Sequence, residues 1–174
     1  MKKQTQEHQV ISMMRRPEHK KKVEIIKLNM LRKDTVLYGT GRLSGAKKLA
    51  EMVRPLLEYS DREMIAVMSV DAEMNPIALG IVAVGGVCSC SIDARGLFKN
   101  VILANAIRII CFHNHPSGEP KPSRSDSIIT AKIKAAGELL GIELLDHIII
   151  GTDGKYVSFR EKKIAPFETG EFTA

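Results

Sequence analysis

The stretch from Ile107 to Ile150 constrains the fold more than any other part of this chain. Ile107 to Phe112 is an apolar run of strand length, and a loop carrying Pro116, Gly118, Pro120 and Pro122 follows it. That loop is too stiff and too rich in breakers to continue as regular structure. Ser123 then opens a helical pattern that runs to Leu140 and is closed by Gly141 at the C-terminal cap position. Ile142 to Ile150 returns as a strand. The end of the first strand carries His113 and His115, and residues two apart on a strand point to the same face. Two imidazoles placed in this way can share one metal ion, and Asp126 in the first turn of the helix offers a carboxylate as third ligand. Two histidines, one carboxylate and a fourth position left to water form the ligand set of a catalytic zinc site, so Zn2+ and hydrolysis are the expected chemistry.

The remaining pattern frames this unit. Val23 to Met30 reads as a first strand and Tyr38 to Leu43 as loop or short strand. Ser44 is a candidate cap for a helix to about Tyr59, with Pro55 expected to kink or interrupt it. Glu63 to Val70 and Ile77 to Val84 form a hairpin around the turn residues Asp71 to Pro76. After Gly85 and Gly86 a third strand is expected over Val87 to Ile92, then a helix from Ala94 to Ala106 capped by Asp93. Asp153-Gly154 is a hairpin turn leading to a last strand, Lys155 to Arg160. The order predicts an α/β (α+β) fold, a mixed β-sheet flanked by helices.

Charge divides the chain. Residues 1–33 hold ten Lys or Arg against three acids, whereas the remainder is close to neutral. The expected organisation is therefore a basic, partly disordered arm over 1–33, containing the first strand, and a domain over 34–174. The arm is a candidate contact for DNA or another acidic surface. It has no interleaved aromatic residues, so it offers no stacking platform for single strands. No apolar run reaches the ~18 residues of a membrane span, and the first residues lack the apolar stretch of a secretory signal, so a cytoplasmic protein is expected. Cys88, Cys90 and Cys111 read as free thiols of a reducing compartment, with a thiolate metal site at Cys88 and Cys90 as the sharper alternative.

A lone H-x-H is a weak signal, and Ser123-x-x-Asp126 has ordinary capping-box spacing. The conjunction of strand, H-x-H, stiff loop, capping serine and first-turn aspartate is what singles out a site. Hydrolysis also needs a carboxylate to move a proton. Glu63, at the head of a buried strand, is the better candidate, and Glu73 lies in a turn. Cys111 shares strand parity with both histidines but reads as core, while His147 is either an orienting neighbour of a ligand or a structural histidine. Ser117-Gly118 shapes the loop, and His8 and His19 are incidental to the arm.

Glu63, His113, His115, Ser123 and Asp126 together match E-x(n)-H-x-H-x(7)-S-x-x-D, a pattern that resembles the JAMM motif of the JAB/MPN metalloprotease fold. The run H-N-H-P-S-G-E-P-K-P-S-R-S-D, followed by G-I-E-L-L-D-H-I-I-I-G, is most similar to the RadC branch of that fold. The resemblance covers roughly Leu43 to Arg160 and implies a JAB/MPN, cytidine-deaminase-like architecture. It implies that His113, His115 and Asp126 bind zinc, that Glu63 is the general base activating a water as fourth ligand, and that Ser123 stabilises the oxyanion. One departure stands out: where RadC proteins usually read P-R-E-[VI]-F-K, this chain has Ala94-Arg95-Gly96-Leu97-Phe98-Lys99, without the glutamate.

The expected function is zinc-dependent hydrolysis of a peptide or isopeptide-like amide, with a link to DNA repair or recombination implied by the RadC resemblance. The alternative is a non-catalytic DNA- or protein-binding module that keeps a structural zinc site. Hydrolysis of a small-molecule amide would share the same site. The sequence names neither substrate nor oligomeric state.

Overall fold

The computed structural model describes residues 45–85 and 93–167. The strand expected over 23–30, the segment 38–43, the strand expected over 87–92, Cys88, Cys90 and the basic arm all lie outside the described residues. The described elements are α1 (Ala46–Leu57), β1 (Met64–Val70), β2 (Pro76–Val84), α2 (Ala94–Leu103), β3 (Arg108–Asn114), α3 (Arg124–Leu140), β4 (Glu143–Ile150) and β5 (Tyr156–Ser158). The strands form one five-stranded mixed sheet in the order β2-β1-β3-β4-β5. Among the described strands only β3 and β4 pair in parallel, and α3 makes the crossover between them.

Each face of the sheet buries its own cluster, as a period of two demands. Ala66, Met68, Val70, Ile110, Phe112, Ile148 and Ile150 pack against Leu49, Ala50, Val53 and Leu57 of α1. Val67, Ile109, Cys111 and Leu144 pack on the other face against Leu97, Phe98 and Val101 of α2 and Ile133 of α3. Cys111 is fully buried, and burial pushes its thiol far above the usual range, so it is core, as its place inside an apolar strand suggested. No helix among the described residues is long and apolar enough to cross a membrane.

Several boundaries differ from expectation for local reasons. The first position before α1 is Gly45, with no side-chain cap, instead of Ser44. The helix continues through Pro55 to Leu57, because Pro55 is exposed and solvent can serve the carbonyl it leaves unpaired. The second helix stops at Leu103, short of Ala106, where Asn105 turns into the left-handed region at φ 53°. The final strand contracts to Tyr156–Ser158 after Asp153 and Gly154, whose φ values of 55° and 78° build a tight turn of the mirror-image type. The cap of α3 is as expected: the Ser123 hydroxyl accepts from the Asp126 N–H at 3.1 Å and the Asp126 carboxylate accepts from the Ser123 N–H at 2.6 Å. At its other end Gly141 adopts φ 70°.

A register shift in β4 matters for the site. Ile109 pairs with Leu144 but Ile110 with Asp146, so Leu145 is the extra residue of a bulge. Without it, Asp146 would oppose Cys111. With it, His147 does, and the imidazole points to the same face as His113.

Candidate metal centre

Strand parity assembles one wall of the site. Ile65 of β1 lies opposite His113 of β3, so Glu63 and Ile65 share a face with His113 and His115. The other wall is the N-terminal turn of α3. Together they enclose a cavity of about 590 Å3 whose lining includes Glu63, Ile65, Ser123, Asp126 and Ile129. The expected ligands converge there. His113 Nε2 lies 3.0 Å from His115 Nε2, and 3.4 Å separates each of these nitrogens from one oxygen of Asp126. One donor atom from each of the three residues lies within 4.8 Å of the other two, a group able to hold a metal ion. The chemistry of the set, two borderline nitrogens and a hard oxygen with a position left open, fits zinc or a similar divalent ion.

Electrostatics inside the group agree with that fit. Burial raises the Asp126 carboxyl, but the adjacent imidazoles of His113 and His115 outweigh it and hold the acid well below its ordinary range. Asp126 in turn raises His115, against the opposing effect of burial. The Asp126 carboxylate thus stays ionised and draws a cation to the point where the three side chains meet.

Outer contacts orient each ring. His115 Nδ1 donates to the Glu119 main-chain carbonyl at 2.9 Å. That carbonyl belongs to a loop closed by the Gly118 N–H on the His115 carbonyl at 2.8 Å. The loop is also tied to the turn after β4, where the Thr152 N–H reaches the Gly118 carbonyl at 3.0 Å. Arg54 of α1 anchors that turn through the carbonyls of Gly151, at 2.6 Å, and Lys155, at 3.0 Å. Gly151 has no room for more: a Cβ there would sit 2.6 Å from the Gly118 carbonyl oxygen and from Pro120 Cδ. His113, only 5% exposed, instead has its Nδ1 2.8 Å from His147 Nε2. His147 Nδ1 lies 2.6 Å from the Thr130 hydroxyl, which is itself 2.6 Å from the Asp126 main-chain carbonyl. Burial holds His147 well below the ordinary histidine range, with the neighbouring His113 adding to the effect, so this ring is neutral.

The sequence reading brought His113, His115, Asp126, Ser123 and Glu63 to one place, and the fold does bring them around one cavity. Glu73 lies away from it in the β1–β2 turn, its N–H on the Asp71 carboxylate at 2.9 Å. Three contributors were not foreseen: the Glu119 carbonyl, Thr130 and Asn114. Asn114 is 1% exposed, accepts from the Met64 N–H at 2.8 Å and donates to the Arg62 carbonyl at 3.0 Å. Its amide extends the β1–β3 pairing beyond the last ladder position and clamps the main chain on both sides of Glu63. The middle position of H-x-H was the available signal, since an amide there can imitate a peptide group.

The family comparison agrees with this arrangement. A family model described as "RadC-like JAB domain" matches residues 43–164. Among curated relatives, a UPF0758 protein of Thermotoga maritima is 43% identical over 104 residues, covering 60% of this chain and 46% of the relative. A UPF0758 protein of Desulfitobacterium hafniense is 37% identical over 122 residues, covering 70% and 53%. A UPF0758 protein of Methanosarcina mazei is 34% identical over 121 residues, covering 70% and 52%. The chain therefore spans about half the length of these relatives. Among the described residues the five-stranded mixed sheet with three helices is an α/β fold consistent with a JAB domain, and the chain belongs to the RadC-like JAB domain family.

Proposed function

We propose that this domain is a zinc-dependent amide hydrolase of the JAMM type, acting on a peptide or isopeptide-like bond. The observation that carries the reading is the convergence of His113 Nε2, His115 Nε2 and the Asp126 carboxylate beside a cavity that Glu63 also lines. Those three residues would hold the ion, which when bound acts as a Lewis acid and lowers the pKa of a coordinated water toward ~7. Glu63 takes a proton from the attacking water and returns it to the leaving nitrogen, the work of a general base that becomes a general acid. The Asn114 clamp keeps the main chain around Glu63 in place while the carboxylate faces the cavity. Ser123 serves two ends at once: its oxygen accepts the Asp126 N–H, and its hydroxyl proton remains for the oxyanion of the tetrahedral intermediate. Ile65 and Ile129 give the cavity apolar wall against which an acyl side chain can pack.

The test is metal analysis of purified protein with a screen of peptide and isopeptide substrates, run on wild type and Glu63→Gln. Near-stoichiometric zinc in both, with hydrolysis only in wild type, is the expected result. Absence of zinc from wild type, or equal hydrolysis by both proteins, contradicts the reading.

A second reading rests on the charge of residues 1–33, ten basic side chains against three acidic. A domain serving a DNA-bound assembly without catalysis would bind DNA in a salt-sensitive manner, lose that binding on removal of 1–33, and be indifferent to Glu63→Gln.

A further inference from the structure

The geometry points to Thr130 as a positioning residue of the metal centre, one that sets the tautomer of His113 through His147. This inference rests on the reading that His113 is a metal ligand. A ligand imidazole must present a lone pair to the ion and therefore carries its proton on the other nitrogen. For His115 a main-chain carbonyl secures this directly, because the Glu119 oxygen can only accept from Nδ1. The partner of His113 Nδ1 is another imidazole, which can accept or donate, so the proton's position is decided further along.

The chain of contacts decides it in one direction. Thr130 has a single hydroxyl proton, and the Asp126 carbonyl at 2.6 Å can only accept it. The Thr130 oxygen, 2.6 Å from His147 Nδ1, must then accept, which puts the His147 proton on Nδ1. His147 Nε2 is left with a lone pair and accepts from His113 Nδ1 at 2.8 Å. His113 Nε2 is thereby left with its lone pair facing His115 Nε2 and Asp126. Reversing every bond would place the proton on His113 Nε2, where an ion has to bind. Both ligand rings thus end on main-chain carbonyls, one directly and one through two buried side chains that are 1% and 0% exposed. The relay also ties His113 to the carbonyl of the residue that supplies the carboxylate ligand, so ring and helix move as one unit.

Thr130→Val keeps the side-chain shape and removes the hydroxyl, while Thr130→Ser keeps the hydroxyl. The readouts are the zinc dissociation constant, by competition with a chromophoric chelator, and the imidazole tautomers from long-range proton–nitrogen NMR of the metal-free protein at alkaline pH. Thr130→Val is expected to weaken zinc binding about 10- to 100-fold. It is also expected to shift His147 and His113 away from the Nδ1-protonated form while His115 keeps its own. Thr130→Ser is expected to behave as wild type. Wild-type affinity and tautomers in Thr130→Val overturn the inference, as does equal weakening by Thr130→Ser or a change at all three rings. Wild type that binds no zinc but protonates His147 and His113 at Nδ1 upholds the relay and overturns the metal reading it rests on.

Discussion

His113 and His115 sit two residues apart on one strand face, yet the protein holds them by unlike means. His115 is pinned locally, by a carbonyl four residues away in a proline-stiffened loop. His113 is pinned at long range, by an imidazole 34 residues away and a threonine on the following helix. The first device is robust to burial because a carbonyl has only one role. The second works only where solvent is excluded, since water would satisfy either direction of the relay. A metal centre at the mouth of a sheet can thus combine one ligand ordered by its loop with one ordered by the core beneath it.

Perturbations can break either arm of this comparison. The largest effect is expected where neither arm survives. Asp126→Ala removes the carboxylate that lies between both rings, along with half of the capping box, and should abolish stoichiometric zinc in elemental analysis. Breaking the loop arm alone calls for Gly151→Ala. Its added methyl meets the Gly118 carbonyl and Pro120, so a loss of about 1–3 kcal/mol in urea unfolding is expected. Zinc binding should weaken as well, with the NMR signature of the His147–Thr130 pair unchanged. Equal disturbance of that pair would mean the two arms are not separate. Asn114→Ala touches neither arm. It orphans the partly buried Met64 N–H, at about 1–3 kcal/mol, and should depress hydrolysis far more than zinc affinity.

The smallest effect sharpens the comparison through pH. In metal-free protein Asp126 is held below its ordinary value of 3.8, so its stabilisation is present above that pH and is lost as pH falls. His115 is raised above 6.5, so its contribution is complete below 6.5 and is lost as pH rises through the raised value. The stability difference between wild type and Asp126→Asn should therefore be widest between about pH 4 and 6.5 and narrow on both sides. Urea midpoints across that range measure it. The difference cancels the contribution of Asp146, whose carboxyl burial raises to about 6 despite hydrogen bonds from Ser158 and main-chain groups. A flat difference would mean that Asp126 and His115 do not share charge.

What was legible in the sequence follows the same division. The β3 run, the stiff loop, the Ser123–Asp126 cap and Gly141 are local signals, and each appears where its spacing put it. The three converging donors follow from strand parity plus one helix start. Long-range contributors left no such trace. Thr130 is one more polar residue in an amphipathic helix until the fold brings it to His147. The orientation of His147 depends on a bulge at Leu145, because simple alternation from Leu144 would have turned Asp146 to the site instead. Asn114 was hidden by its neighbours, read as the spacer of H-x-H when it clamps the strand that carries Glu63.

X-ray absorption at the zinc edge of the reconstituted protein tests the central claim most directly. The account predicts one zinc per chain with only nitrogen and oxygen neighbours at about 2.0–2.2 Å, and imidazole scattering that falls by half in His115→Ala. A sulfur neighbour at about 2.3 Å, or a spectrum indifferent to that substitution, would contradict it.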